Sequence, residues 1–122
     1  MLGKIFDDNS PLFLQIKARI EDQIISGALA TDEQIPSTTQ IVEFYKINHI
    51  TVAKGVNLLV DEGILYKKRG LGMFVAPDAR DKLIKKRQQN FKTDYLDPML
   101  VEASKLQITK ADLVKMITRE EI

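Results

Sequence analysis

Apolar residues recur at helical spacing in the first third of the chain, then fall into short runs bounded by glycines, then return to helical spacing. Phe13, Ile16, Ile20 and Ile24 share one face of a first helix. Ser10 is placed to cap that helix, Pro11 suits its first position, and Gly27 ends it as a left-handed cap. Residues 28–35 form a connector with Leu29 and Ile35 turned inward. Ser37 and Gln40 have capping-box spacing and open a second helix from Thr38 to Tyr45, with Ile41 and Val42 facing the core. After a turn at Lys46-Ile47, Asn48 caps a third helix that runs to about residue 62, buries Val52, Val56 and Leu59, and closes at Gly63. Residues 64–68 and 73–76 read as two strands joined by the turn Arg69-Gly70-Leu71-Gly72.

Pro77-Asp78 marks a boundary, and the text beyond it is helical. Leu83, Ile84 and Phe91 lead into Leu96, Met99, Leu100, Ala103 and Leu106. Asp97-Pro98 either starts a new helix or kinks a longer one. Thr109 with Asp112 is a further capping box, opening a last helix with Leu113, Val114 and Ile117. The expected fold is mainly α with a small β-hairpin. A winged helix-turn-helix spans residues 9–76, and a short helical dimerisation tail spans residues 77–122. Such a tail is too short to bury its apolar faces alone. Phe91, Leu96, Met99, Leu100, Ala103, Leu106, Leu113 and Ile117 are therefore expected to meet a second copy of the chain.

Charge changes this picture more than composition does. The formal net charge is +1. Residues 1–65 carry five Lys/Arg against nine Asp/Glu, residues 66–92 carry nine against two, and residues 93–122 carry four against six. The positive charge thus sits in the hairpin and the segment after it, as a polyanion partner would require. For residues 80–92 alone, a solvated charged helix face is the favoured reading. The chain is 44% hydrophobic and has no cysteine, which excludes disulfides and thiolate metal sites and suits a reducing cytoplasm. No signal peptide and no run of the roughly 20 apolar residues needed to span a bilayer is visible.

The candidate chemistry is recognition of duplex DNA. In a helix-turn-helix the first turn of the second helix meets base edges. Here that turn is Asn48-His49-Ile50-Thr51, with Lys54 one turn on. Asn can pair bidentately with adenine, Lys can reach guanine or phosphate, and Ile50 can touch a thymine methyl. Asn48 can also serve simply as a cap. His49 is the single histidine, so a histidine metal cluster is impossible; at this position a phosphate or base contact is expected of it. On the hairpin, Lys67, Lys68 and Arg69 can neutralise phosphates, and Gly70 and Gly72 keep the tip slim enough for Arg69 to enter a minor groove. Gly70-Leu71-Gly72 is no phosphate loop, because no helix follows it. One histidine, no cysteine and scattered carboxylates make no catalytic or metal set. Asp61-Glu62 and Glu120-Glu121 read as solvated helix-end or terminal surface.

Several of these residues form a larger pattern: Pro11-Leu12-Phe13 with Gln15-Ile16, Ile24, Gly27, Ile35-Pro36-Ser37, Thr51-Val52, Asp61-Glu62-Gly63-Ile64-Leu65 and Arg69-Gly70-Leu71-Gly72-Met73-Phe74-Val75. Over residues 11–76 this resembles the GntR family of bacterial transcription regulators. The short tail and Asn48-His49-Ile50-Thr51-Val52-Ala53-Lys54 resemble its YtrA-like subfamily. The resemblance implies a winged helix-turn-helix, a small helical dimerisation unit, and genes often placed beside those of ABC transporters. It adds Ser37, Thr38 and Thr39, the start of the second helix, to the DNA-facing set. The resemblance implies arginine usually at the position of Thr39 and often at that of Ala53, so Lys54, His49 and the wing must carry more of the affinity here, or binding is weaker or differently specific.

The expected function is a DNA-binding regulator, most simply a repressor of a nearby operon, reading a palindromic operator as a homodimer. It needs no cofactor and no membrane, and its effector, if any, is unspecified. A metabolite pocket at the dimer interface and a winged helix that binds protein partners are the competing readings. An enzyme is a distant third.

Overall fold

A computed structural model describes residues 6–119. Glu120-Glu121 therefore lies outside the described residues. The elements run α1 (Leu12–Ser26), α2 (Thr38–Tyr45), α3 (His49–Asp61), β1 (Leu65–Lys68), β2 (Gly72–Val75), α4 (Ala79–Phe91), a π-turn (Lys92–Leu96), α5 (Asp97–Lys105) and α6 (Lys110–Thr118). Two compact units divide after Lys85.

The first unit is built on α1, α2, α3 and the hairpin. Ile16, Ile20 and Ile24 of α1 bury against Val52, Val56 and Leu59 of α3, with Ile41, Ile35 and Leu29 in the same core. The hairpin closes it through Leu65 and Val75, which pair directly, and the register continues to Lys68 opposite Gly72. The core also includes Ala79 and Leu83, so the first turns of α4 belong to this unit even though Pro77-Asp78 looks like a boundary in the text.

Local capping agrees with the sequence at most ends. Ser37 Oγ accepts from the Gln40 N–H while Gln40 Oε1 accepts from the Ser37 N–H. Asn48 Oδ1 accepts from the N–H groups of Ile50 and Thr51. Gly63, at φ +75°, ends α3, and the Ile64 N–H returns to the Leu59 carbonyl. The start of α1 differs. Pro11 is its cap residue and Ser10 makes no side-chain cap. Gln15 holds this end instead, donating to the carbonyls of Asp7 and Ser10 and accepting from the Asp7 N–H. The long amide thereby ties the segment ahead of the helix to its first turn, whose own N–H groups receive no side-chain cap.

The connector between α1 and α2 is part of the wing. The Asp32 N–H donates to Val75, the Val75 N–H to Glu33, and the Ile35 N–H to Met73. This extends the two-stranded hairpin by a short third ribbon and fixes it to the helices.

Two basic residues of α4 serve the helix ends. Arg80 Nε donates to the Ile25 carbonyl at 2.9 Å, and Lys82 pairs with Asp78 at 3.2 Å close to Gly63. Cations at the C-terminal ends of α1 and α3 oppose the negative pole of each helix.

Lys17 lies between Glu21, at 3.1 Å, and Glu62, at 3.2 Å, and ties α1 to the end of α3. Glu62 is thus an ion-pair partner and not merely solvated surface. Burial alone would lower the Lys17 pKa. The hydrogen bond and charge of Glu21, then those of Glu62, outweigh it and raise the ammonium above its ordinary range. A raised lysine contributes stability that is complete below the ordinary value of 10.5 and is lost as pH rises through the higher folded value. Lys17→Met is expected to cost about 2 kcal/mol, less than the roughly 3–5 kcal/mol for breaking a fully buried pair, because Glu62 keeps contact with water. Urea midpoints from pH 7 to strong alkali check this: the gap to wild type should close only at the alkaline end.

The second unit holds the rest of the tail. The helical run continues through Pro98 and does not restart there: Phe91, Leu96 and Asp97 keep helical backbone angles, and the Asp97 N–H reaches back five residues to Lys92. The widened turn absorbs a proline that lacks an N–H and whose ring would press on the preceding turn. α5 ends in a left-handed Gln107 at φ +59°, with the Ile108 N–H on the Ala103 carbonyl. α6 opens on the Thr109–Asp112 capping box. The backbone N–H and hydroxyl of Thr109 hold the Asp112 carboxyl below its ordinary pKa.

Candidate nucleic-acid interface

Three segments of the first unit carry the DNA-facing candidates. The most exposed is the first turn of α3. Ile50 is 76% exposed although it is apolar, and His49 beside it is also exposed. An isoleucine left in water at the start of a short helix makes no contribution to the core, so it is available to a partner. Asn48 uses Oδ1 for the cap, at 2.7 and 3.4 Å. Its amide N–H groups remain as donors; a bidentate adenine contact would need the capped oxygen as well. Thr51 is half-buried. Lys54 is exposed, and its ammonium lies over the Phe13 ring, 4.1 Å from the centroid.

The second segment is the start of α2. Ser37 is engaged in the capping box, Thr38 is half-buried and Thr39 is exposed. The box leaves the Ser37 hydroxyl proton free to donate outward.

The third is the wing. Lys67, Lys68, Arg69 and Gly70 are all exposed. The alternation of β1 puts Tyr66 and Lys68 on the face opposite Leu65. There Tyr66 and Phe74 stack at 5.8 Å, and the Lys68 ammonium lies 4.7 Å from the Phe74 centroid. Gly70 adopts φ +79° and Gly72 φ +124°, and the Leu71 N–H returns to the Lys68 carbonyl. The positive φ calls for glycine at 72, and a Cβ there would also meet the Gln34 side-chain nitrogen at 2.8 Å and displace that amide from the tip. Gln34 donates to the Leu71 carbonyl and fixes the tip, while Tyr66 donates to Asp32 at 2.8 Å and fixes the base. The Asp32 hydrogen bond raises the Tyr66 pKa above its ordinary value.

Sequence reasoning missed Gln34, Asp32, Phe13 and the tip residue Leu71, which is 63% exposed. Leu71 was legible as an apolar residue between two turn glycines. The other three act through partners 34 to 41 positions away, and nothing local marks them. Among the described residues no group of His, Cys, Asp and Glu is placed to hold a metal, and no helix is long and apolar enough to cross a membrane.

Residues 12–75, the whole of this three-helix and wing unit up to the second strand, match the family described as bacterial regulatory proteins, gntR family. The chain belongs to the GntR family. The relatives it matches are transcriptional repressors and regulators. The HTH-type transcriptional repressor NagR of Bacillus subtilis is 36% identical over 66 residues, which cover 54% of this chain and 27% of that protein. The chain therefore spans about a quarter of the length of the curated GntR relatives it matches. A GntR family transcriptional regulator from Listeria monocytogenes has the same fold over 93% of this chain and 98% of its own, with a TM-score of 0.73 at 22% identity. The DNA-binding domain of AraR, solved in complex with an operator, is 28% identical, covers 62% of this chain and 93% of its own, and has a TM-score of 0.54.

Proposed function

We propose that this GntR-family chain is a sequence-specific repressor that acts in the cytoplasm and reads a palindromic operator as a homodimer. The observation that carries the reading is the exposed first turn of α3 beside a hairpin that exposes Lys67 and Lys68 on its first strand and Arg69 at its turn. α3 enters the major groove with Asn48, His49, Ile50, Thr51 and Lys54. Ser37, Thr38 and Thr39 approach phosphates at the start of α2. Lys67, Lys68 and Arg69 follow the backbone into the minor groove, with Gly70 and Gly72 shaping the tip. The repressor role is supported by NagR, and DNA docking by the AraR operator complex. The YtrA-like resemblance of the tail suggests an operon that includes ABC transporter genes.

Dimerisation through the tail is supported by the apolar side chains that α4 to α6 leave in solvent. Phe91 is exposed and stacks on exposed Tyr95, and Leu106 and Ile117 are exposed further along. Met99 is at the margin of exposure, and Leu96, Leu100 and Leu113 are half-buried. Ala103 is only 5% exposed in one copy and serves the tail's own packing. Tyr95, Val101, Val114 and Met116 enlarge the surface beyond the sequence-derived set. Full-length protein is expected to sediment as a dimer at micromolar concentration, and a chain ending at Lys85 as a monomer. A full-length monomer would remove the dimer reading.

Selection of bound sequences from random duplexes, at stated salt, tests the whole proposal. It should return an inverted repeat with half-site centres about 10–10.5 base pairs apart, or a multiple of that. Recovery of unrelated sequences would leave a winged helix with some other partner.

A further inference from the structure

Phe13 lies in the first turn of α1, outside every segment assigned above to DNA, yet its ring carries the ammonium of Lys54 at 4.1 Å from the centroid. The two meet because the next residue is Gly55. A Cβ at Gly55 would stand 2.7 Å from the Phe13 carbonyl oxygen, so only glycine lets α1 cross α3 at this depth. Lys54 makes no ion pair among the described residues, and the ring is its one charged-group contact there.

The chemistry of that contact matters. A carboxylate beside Lys54 would orient the ammonium and cancel its charge toward a polyanion. An aromatic face attracts the cation through its quadrupole and leaves the full positive charge available. A free lysine on the recognition helix must give up rotamer freedom when it reaches DNA, and a lysine already laid along a ring gives up less.

We propose that Phe13 is a positioning residue for operator recognition: it holds Lys54 in one place at the DNA-facing side of α3 without neutralising it. This rests on the assignment of Lys54 to the DNA contact. Loss of the ring is expected to weaken operator binding about threefold to tenfold, the range that accompanies ordering one long side chain. The charge remains, so the dependence of log K on log salt should keep its slope.

The test is a double-mutant cycle on the full chain, with selected operator and random duplex at several salt concentrations. The variants are Phe13→Leu, Phe13→Met, Phe13→Tyr, Lys54→Ala and Phe13→Leu with Lys54→Ala, each checked by thermal melting. Phe13→Met keeps a long apolar side chain should Phe13→Leu fold poorly. The expected result is that Phe13→Leu and Phe13→Met weaken operator binding more than random binding at unchanged salt slope. Phe13→Tyr should bind as wild type, and the double variant no worse than Lys54→Ala. If Lys54→Ala binds both duplexes as wild type does, the assignment of Lys54 falls, and this inference with it. If Lys54→Ala weakens operator binding while Phe13→Leu and Phe13→Met bind as wild type or tighter, the positioning role alone is overturned. A Phe13→Leu loss that persists in full in the Lys54→Ala background also overturns it, because Phe13 would then act through packing.

Discussion

Replacing Gly55 by valine is expected to destabilise the first unit by about 3 kcal/mol or more, at the upper end of the cost of overpacking. The substitution looks favourable on local grounds. Glycine inside a helix is about 1 kcal/mol worse than alanine, and Gly55 lies mid-helix in α3. The packing reverses that sign. The atom that meets the new Cβ at 2.7 Å is the Phe13 carbonyl oxygen, part of the α1 backbone, and the Ile16 side chain stands at 3.5 Å behind it. A flexible side chain could swing away, but here a whole helix has to move, carrying Ile16 and Ile20 out of register with Val52 and Val56. Gly55→Ala should already lose about 2 kcal/mol, and the branched valine more. At about 4 °C per kcal/mol for a domain of this size, the valine variant should melt on the order of 12 °C below wild type. Circular dichroism melting measures it. A Gly55→Ala midpoint equal to or above wild type would mean that the helices can part at no cost.

Arg69→Ala is expected to have the largest effect on DNA binding. Of the three wing cations, Lys68 is drawn over the Phe74 ring, whereas Arg69 stands at the turn, exposed and followed by Gly70 at φ +79°. The Gln34 and Asp32 hydrogen bonds hold that turn against the helices, so the guanidinium is presented from a fixed base. The family resemblance implies arginine at the positions of Thr39 and Ala53, and on that expectation the wing should carry more of the affinity here. Operator binding should fall about tenfold or more at physiological salt. The slope of log K against log salt should flatten by about one unit per lost contact per protomer. Stability should move by less than about 0.5 kcal/mol, since Arg69 is an exposed turn residue. Wild-type affinity and an unchanged slope in folded Arg69→Ala would make the wing a passive hairpin and leave recognition to α3.

These two residues mark how far the sequence could be read. Arg69 was legible because its setting is local: a basic residue entering a glycine turn between two short strands. Gly55 was not, because a glycine within an apolar helical run signals nothing until the helix that crosses it is known. Asn48 lies between the two. Its capping role follows from position alone, but only the geometry shows that the cap occupies Oδ1 and leaves DNA the amide donors.

By itself the sequence determined the elements and most of their ends. Ser37 with Gln40, Asn48 ahead of α3, Thr109 with Asp112, and glycines at 27 and 63 all act on backbone groups within a few residues. Their chemistry therefore needs no tertiary context. It also determined which faces are apolar, and through them the winged-helix architecture, while the family resemblance rested on the spaced motifs between residues 11 and 76. The tertiary structure alone decided how the wing is held, with Gln34 and Asp32 reaching across 37 and 34 residues to Leu71 and Tyr66. It turned Arg80 from a solvated cation into a cap on α1, 55 residues away, and gave Glu62 to Lys17. It carried one helical run through Pro98 by way of a π-turn where the text allowed either a kink or a start. The difference is one of range: a cap is satisfied by neighbours the chain itself supplies, whereas these contacts exist only once packing of the apolar faces has brought distant segments together.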